Sequence, residues 1–157
     1  MNNTNENKTS DIYLAHVDFE TGRTQSFQEH TDNVTSYAKS ICPMGEIQKL
    51  VEAAALFHDA GKLSDDVQKD FQDILKKGDQ AHRNDLDHST AGGRMLWKMM
   101  RQKTAAELLS TVVYSHHGIS DCIDFESGCT LQERRAEKEC QEDIVKGRFF
   151  QIFDKEK

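Results

Sequence analysis

Four histidines, His30, His58, His88 and His116, each fall on the apolar stripe of a different predicted helix, and this constrains the fold more than any other feature of the chain. A single inward imidazole is an ordinary core residue. Four are costly, because each buried ring needs partners for two nitrogens and loses free energy if one is left unpaired. A helical fold that brings the four stripes to one point, with a metal ion there, satisfies them together. Two of the four stand beside another potential ligand: Asp59 follows His58, and His117 follows His116. Adjacent residues leave a helix about 100° apart, so such a pair converges only where its helix is finishing. Gly61 and Gly118 are the expected stops, Gly61 as a left-handed cap.

The helices themselves are read from apolar periodicity. Phe27, Val34, Tyr37, Ala38 and Ile41 share the face of His30. Pro43, the only proline, and Gly45 mark a break, after which Ile47, Leu50, Val51, Ala54 and Phe57 face inward. Ser64 is the N-cap of a third helix, with Asp65 and Asp66 in its first turn, Val67, Phe71, Ile74 and Leu75 along its apolar side, and Lys76-Lys77-Gly78 at its close. Residues 79–87 are polar and read as a loop. His88, Ala91, Met95 and Met99 share a face of the fourth helix, with Ser89 or Thr90 near its start. Thr104 with Glu107 makes a capping box for a fifth, which runs through Leu108, Leu109, Val112 and Val113 to His116. Thr130 with Glu133 opens the last, carrying Ala136, Cys140, Ile144 and Phe149 on one side. Ahead of the helices, residues 12–19 alternate loosely before the turn signal Glu20-Thr21-Gly22, as a short extended arm or hairpin does. The expected fold is all-α, a compact helical bundle spanning residues 11–157 as one domain, behind a polar, disordered tail at residues 1–10.

Composition removes several classes of function. The longest apolar stretches, such as Val51 to Phe57, are too short to cross a bilayer, and the Asn-rich start has no apolar signal region. The four cysteines show no C-x-x-C spacing and read as reduced thiols of a cytoplasmic protein. A net charge of −7 argues against a broadly basic nucleic-acid surface. Any nucleic-acid contact is therefore local, with bound divalent cations helping to reverse the sign there. Two such ions roughly 3.5–4 Å apart clamp a phosphate, activate a water and steady the leaving oxygen.

Other residues carry two readings each. Lys62 is either a surface lysine after a helix cap or an ammonium aimed at a phosphate oxygen. Ser89 is a cap or a substrate contact. His16 and His82 lack helical phase, so each is a partner behind the ligands or an exposed side chain, and His82 is a rival to His88.

The ordered set Ala15-His16, His30, His58-Asp59-x-Gly61-Lys62, Asp87-His88-Ser89-Thr90-Ala91-Gly92 and Ser115-His116-His117-Gly118 resembles the HD nuclease domain of the CRISPR-associated nuclease-helicase of type I systems. The histidine–aspartate pair alone marks only the wide HD phosphohydrolase superfamily. The later two elements are more specific, and the run from His116 to Asp124 is most similar to subtype I-C members. The resemblance covers roughly Tyr13 to Asp124. It implies an HD-domain helical bundle and a metal-dependent endonuclease that degrades single-stranded DNA in antiviral defence, working with an RNA-guided surveillance complex and a helicase absent from this chain. Carried over by position, His30 and His58 bind one ion, Asp59 bridges, and His88, His116 and His117 bind the other. Asp59 and Lys62 are the catalytic candidates. The cofactor implied is one or two divalent transition-metal ions: iron, manganese, nickel or cobalt.

The family continues to a further helix whose aspartate completes the first ion's ligands, whereas this sequence ends at Lys157 without it. The domain is accordingly expected to be truncated at its C-terminus, with Asp121, Asp124 and Asp154 as conceivable stand-ins. Two other functions fit parts of the pattern. An HD phosphohydrolase of nucleotides or small phosphoesters would use nearly the same ligands and suits the acidic charge. A non-catalytic HD-fold interaction module would not need an intact ligand set.

Overall fold

Asp18 reverses the chain near its start. In the computed structural model, which describes residues 13–42, 45–78, 86–119, 122–124 and 128–154, its carboxylate accepts from the amides of Glu20 and Thr21 at 2.9 and 3.2 Å. Gly22 closes the turn with φ at 67°, a conformation open to glycine at no steric cost. Strand β1 (Leu14–Val17) therefore pairs antiparallel with β2 (Thr24–Ser26). Ser26 then accepts from the Glu29 amide at 3.1 Å and N-caps α1 (Phe27–Ile41).

The remaining elements are α2 (Gly45–Phe57), a single 3-10 turn (Ala60–Leu63), α3 (Asp65–Lys77), α4 (Thr90–Met99), α5 (Lys103–Tyr114), a ribbon of β3 (Ile123–Asp124) and β4 (Gly128–Cys129), α6 (Leu131–Ala136) and α7 (Glu142–Phe153). Seven α-helices against two minimal ribbons, among the described residues, make the all-α bundle with a small N-terminal hairpin that the periodicity predicts. No helix among the described residues is long and apolar enough to cross a membrane.

The main core gathers Phe27, Phe57, Leu63, Met95, Leu109, Val113, Val145 and Phe149 from α1, α2, the 3-10 turn, α4, α5 and α7. Phe149 stacks on Phe57 with ring centroids 4.6 Å apart, and burying a ring of this size contributes roughly 1.5–3 kcal/mol. Arg148, next to it, donates to the Leu63 carbonyl at 2.6 Å and pairs with Asp65. Helix α7 is thereby fastened over the 3-10 turn. A second cluster of Leu14, Val67, Phe71 and Ile74 fixes β1 against α3.

Several local expectations are corrected. Tyr37, Ile41, Ile47, Leu75, Met99, Leu108, Val112 and Ile144 are exposed; in α5, Leu109 and Val113 take the inward face in place of the equally hydrophobic Leu108 and Val112. Gly61 is no left-handed cap, since its φ is not positive. Lys103 rather than Thr104 starts α5, and neither Thr104–Glu107 nor Thr130 supplies a side-chain cap. The last predicted helix is two, divided at Gln141, which adopts φ 48°. Its side chain there accepts from the Asp65 amide and donates to Asp66, each at 2.8 Å, which offsets the strained backbone. Pro43, the loop at 79–85 with His82, Asp121 and the tail at residues 1–10 lie outside the described residues.

Candidate metal centre

The side chains that converge come mostly from helix ends. His30 alone lies inside a helix, in α1. His58 and Asp59 follow the last residue of α2, His88 precedes α4, and His116 and His117 follow α5. Helical phase is therefore the wrong reason for three of the four inward histidines. They are inward because the elements carrying them stop at the same place.

Asp59 is the centre of the arrangement, with its side chain 4% exposed. Its Oδ2 lies 2.9 Å from His30 Nε2 and 3.3 Å from His58 Nε2. Its Oδ1 lies 3.1 Å from His116 Nε2 and 3.5 Å from His88 Nε2. His117 Nε2 stands 2.5 Å from His88 Nε2 at the exposed rim. One carboxylate thus turns a different oxygen toward each of two sets of imidazoles.

The backbone fixes the tautomers. His58, His88 and His116 each donate Nδ1–H to a main-chain carbonyl, of Ala55 at 2.7 Å, Leu86 at 3.0 Å and Val113 at 2.8 Å. In the neutral rings this leaves an Nε2 lone pair facing carboxylate oxygens, which are acceptors as well. Asp59 Oδ1 and His116 Nε2 are both buried without an aligned hydrogen-bond partner. Such a knot of acceptors is stable only around positive charge, and orienting a ligand imidazole through its other N–H is how metal sites are commonly built. The donor set, imidazole nitrogen with one carboxylate, suits divalent transition ions.

Burial alone would raise the Asp59 carboxyl, but the imidazoles of His116, His30 and His58 outweigh it and hold the group far below the usual carboxylate range. Burial lowers His88. It also works to lower His116, where contact with Asp59 prevails and raises it.

Lys62 is not a surface lysine. It is buried, and its ammonium lies 2.7 Å from Asp59 Oδ2 and 3.5 Å from His16 Nε2. The ligand-capable atoms fall into two groups, Asp59 with His88, His116 and His117, and Asp59 with His16 and His30. His16 therefore joins the centre from β1. Of the aspartates considered as stand-ins, Asp154 is the exposed C-cap of α7 and belongs to neither group. Asp121 and the side chain of Asp124 lie outside the described residues.

Two features of the D-H-S-T-A-G element depart from the sequence expectation. Asp87, not Ser89, caps α4: its carboxylate accepts from the amides of Ser89 and Thr90, both at 3.0 Å, and from the Thr90 hydroxyl at 2.7 Å. Arg134 and Lys138 pair with the same carboxylate. Ser89 is buried, donating to the Tyr114 carbonyl at 3.3 Å and accepting from Arg134 at 2.9 Å, so it ties α4 to α5 and α6. The only sequence signal for Asp87 was its place immediately before His88.

Against known families, the model described as "Cas3, HD domain" matches residues 22–153. No curated protein and no solved structure matches the chain.

Proposed function

The chain belongs to the Cas3 HD-domain family, metal-dependent nucleases of CRISPR systems, and from that premise we propose that it hydrolyses phosphodiester bonds of single-stranded DNA in antiviral defence. The supporting observation is the buried Asp59 carboxylate that offers Oδ2 to His30 and His58 and Oδ1 to His88 and His116. His30, His58 and Asp59 would hold one divalent ion, and Asp59, His88, His116 and His117 the other; iron, manganese, nickel and cobalt all suit these donors. When bound, such ions polarise the phosphodiester and make a water nucleophilic near neutral pH.

The protein's own contribution is positional. The carbonyls of Ala55, Leu86 and Val113 hold three rings with Nε2 turned inward. Lys62 supplies a positive charge against Asp59 on the buried side. His117 is the exposed member of its group and marks the side from which a strand approaches. A helicase, as a domain or a separate subunit, and a surveillance complex that opens the target are the natural partners of such a domain, in the cytoplasm.

The test is cleavage of circular single-stranded DNA by the full chain supplied with manganese or cobalt. Cutting of the circle, with intact duplex spared and His117→Ala inactive, is the expected result. Turnover of mononucleotides without DNA cleavage would move the assignment to a small-phosphoester hydrolase.

A further inference from the structure

Resting on that metal-centre reading, we propose that His16 is a further protein ligand of the ion held by His30, His58 and Asp59. Its ligand atom lies with those of His30 and Asp59 inside one group whose members are all within 4.8 Å of one another. Its ring meets His30 edge-on, with centroids 4.6 Å apart. The residue precedes the stretch matched by the family model, and its place among the ligands follows from this geometry.

The placement of His16 is built into the fold. Gln68 on α3 clasps the backbone of Leu14 in both directions, accepting from its amide at 3.0 Å and donating to its carbonyl at 2.8 Å. The same side-chain amide donates to the Lys62 carbonyl at 2.7 Å. One residue thereby locks the strand carrying His16 to the turn carrying Asp59 and Lys62. Ala15 is fully buried in the main core. The pairing register slips between Leu14 and His16, and an irregularity of this kind re-aims the side chain that follows. Leu14 and Ala15 are both buried, while His16 is directed to the centre.

The chemistry of the position is that of a cation site. The Lys62 ammonium already stands between His16 Nε2 and Asp59 Oδ2. With His16 included, each half of the centre has three imidazoles and one oxygen of Asp59, a complement sufficient to hold a transition ion without other protein donors.

Cobalt(II) titration of the metal-free full chain, followed by calorimetry and by the paramagnetically shifted imidazole N–H signals, tests this directly. Wild type should bind two ions. His16→Ala, and the bulkier His16→Gln as a check on folding, should keep one tight ion and bind the other at least about ten-fold more weakly, with one shifted imidazole signal lost. Unchanged affinities and an unchanged signal count would overturn the proposal, as would equal weakening at both sites, which marks a loss of fold. A wild type that binds one ion, unaffected by either variant, would overturn it while leaving the metal centre standing. No cobalt uptake by wild type would instead sink the metal-centre reading itself.

Discussion

The amide of Gly61 donates to the carbonyl of His88 at 3.0 Å, and a Cβ at position 61 would stand 2.3 Å from that same oxygen. The two motif segments thus touch backbone to backbone, and residue 61 is glycine because of proximity, not handedness. Gly92 is required in the same way, since its Cβ would lie 2.0 Å from the Phe57 carbonyl oxygen.

Gly61→Ala should therefore push the His88 segment away from Asp59. The expected cost is about 1–3 kcal/mol of stability, as for other overpacked sites, together with weaker metal binding on the His88 side. Urea unfolding and metal analysis of the variant check both. An alanine accepted with wild-type stability and metal content would contradict the close approach.

Asp87 anchors the other end of that segment. Burial alone would raise its carboxyl, but Lys138 and the hydroxyl and amide of Thr90 hold it well below the usual range. A carboxyl depressed in the folded state contributes stability that is fully present above its unfolded pKa of about 3.9 and fades as pH falls toward the folded value. Asp87→Asn keeps an acceptor for the Ser89 and Thr90 amides, since asparagine caps as well as aspartate, so its cost of about 1 kcal/mol at neutral pH comes from the charge lost beside Lys138 and Arg134, pairs discounted for their partial exposure. The gap should narrow below about pH 4. Stability curves of the two proteins against pH measure it, and a gap independent of pH would exclude the linkage.

Much of this was legible in the sequence, for reasons that differ from residue to residue. Ser64 and Gly78 bracket α3 as read, because cap chemistry is local. Periodicity turns Leu108 and Val112 inward alongside Leu109 and Val113, yet only the second pair is buried. Both pairs have helical spacing, and only tertiary packing chooses between them. The candidate centre could be read from the run of histidines, although most lie beyond helix ends. The sequence does not decide the place of His16, because a short strand has no helical phase and the clasp by Gln68 links positions 54 residues apart. The division of the last helix at Gln141 goes with its bonds to Asp65 and Asp66, which are 76 and 75 residues away in sequence.

Asp59→Ala should remove most bound metal, since one carboxylate serves both groups of ligand atoms. Elemental analysis reads this out, and unchanged metal content would refute its central role. In the wild type, ion binding should also release a proton. Burial works to lower His116, but the Asp59 contact raises it on balance, so more of the metal-free protein carries a proton there. Ligand imidazoles must be neutral, so affinity should fall as pH is lowered through the histidine range. Calorimetry in buffers of differing ionisation heat counts the released protons. None released at neutral pH would contradict the raised His116.

Lys62 provides the last prediction. Its buried ammonium is a counter-charge for Asp59 in the metal-free chain, and removing one partner of a buried pair costs on the order of 3 kcal/mol. Lys62→Met should therefore be clearly less stable than wild type without metal. Saturating manganese supplies positive charge at the same carboxylate, so the deficit should shrink once ions are bound. Ligand binding to the folded state also raises Tm by mass action, hence the decisive quantity is the difference between the two proteins with and without manganese. A deficit of equal size in both conditions would mean that Lys62 stabilises the 3-10 turn by packing alone. A deficit confined to the metal-free state, combined with at least about a ten-fold loss of DNA cleavage by the loaded variant, would place the ammonium in the reaction as well.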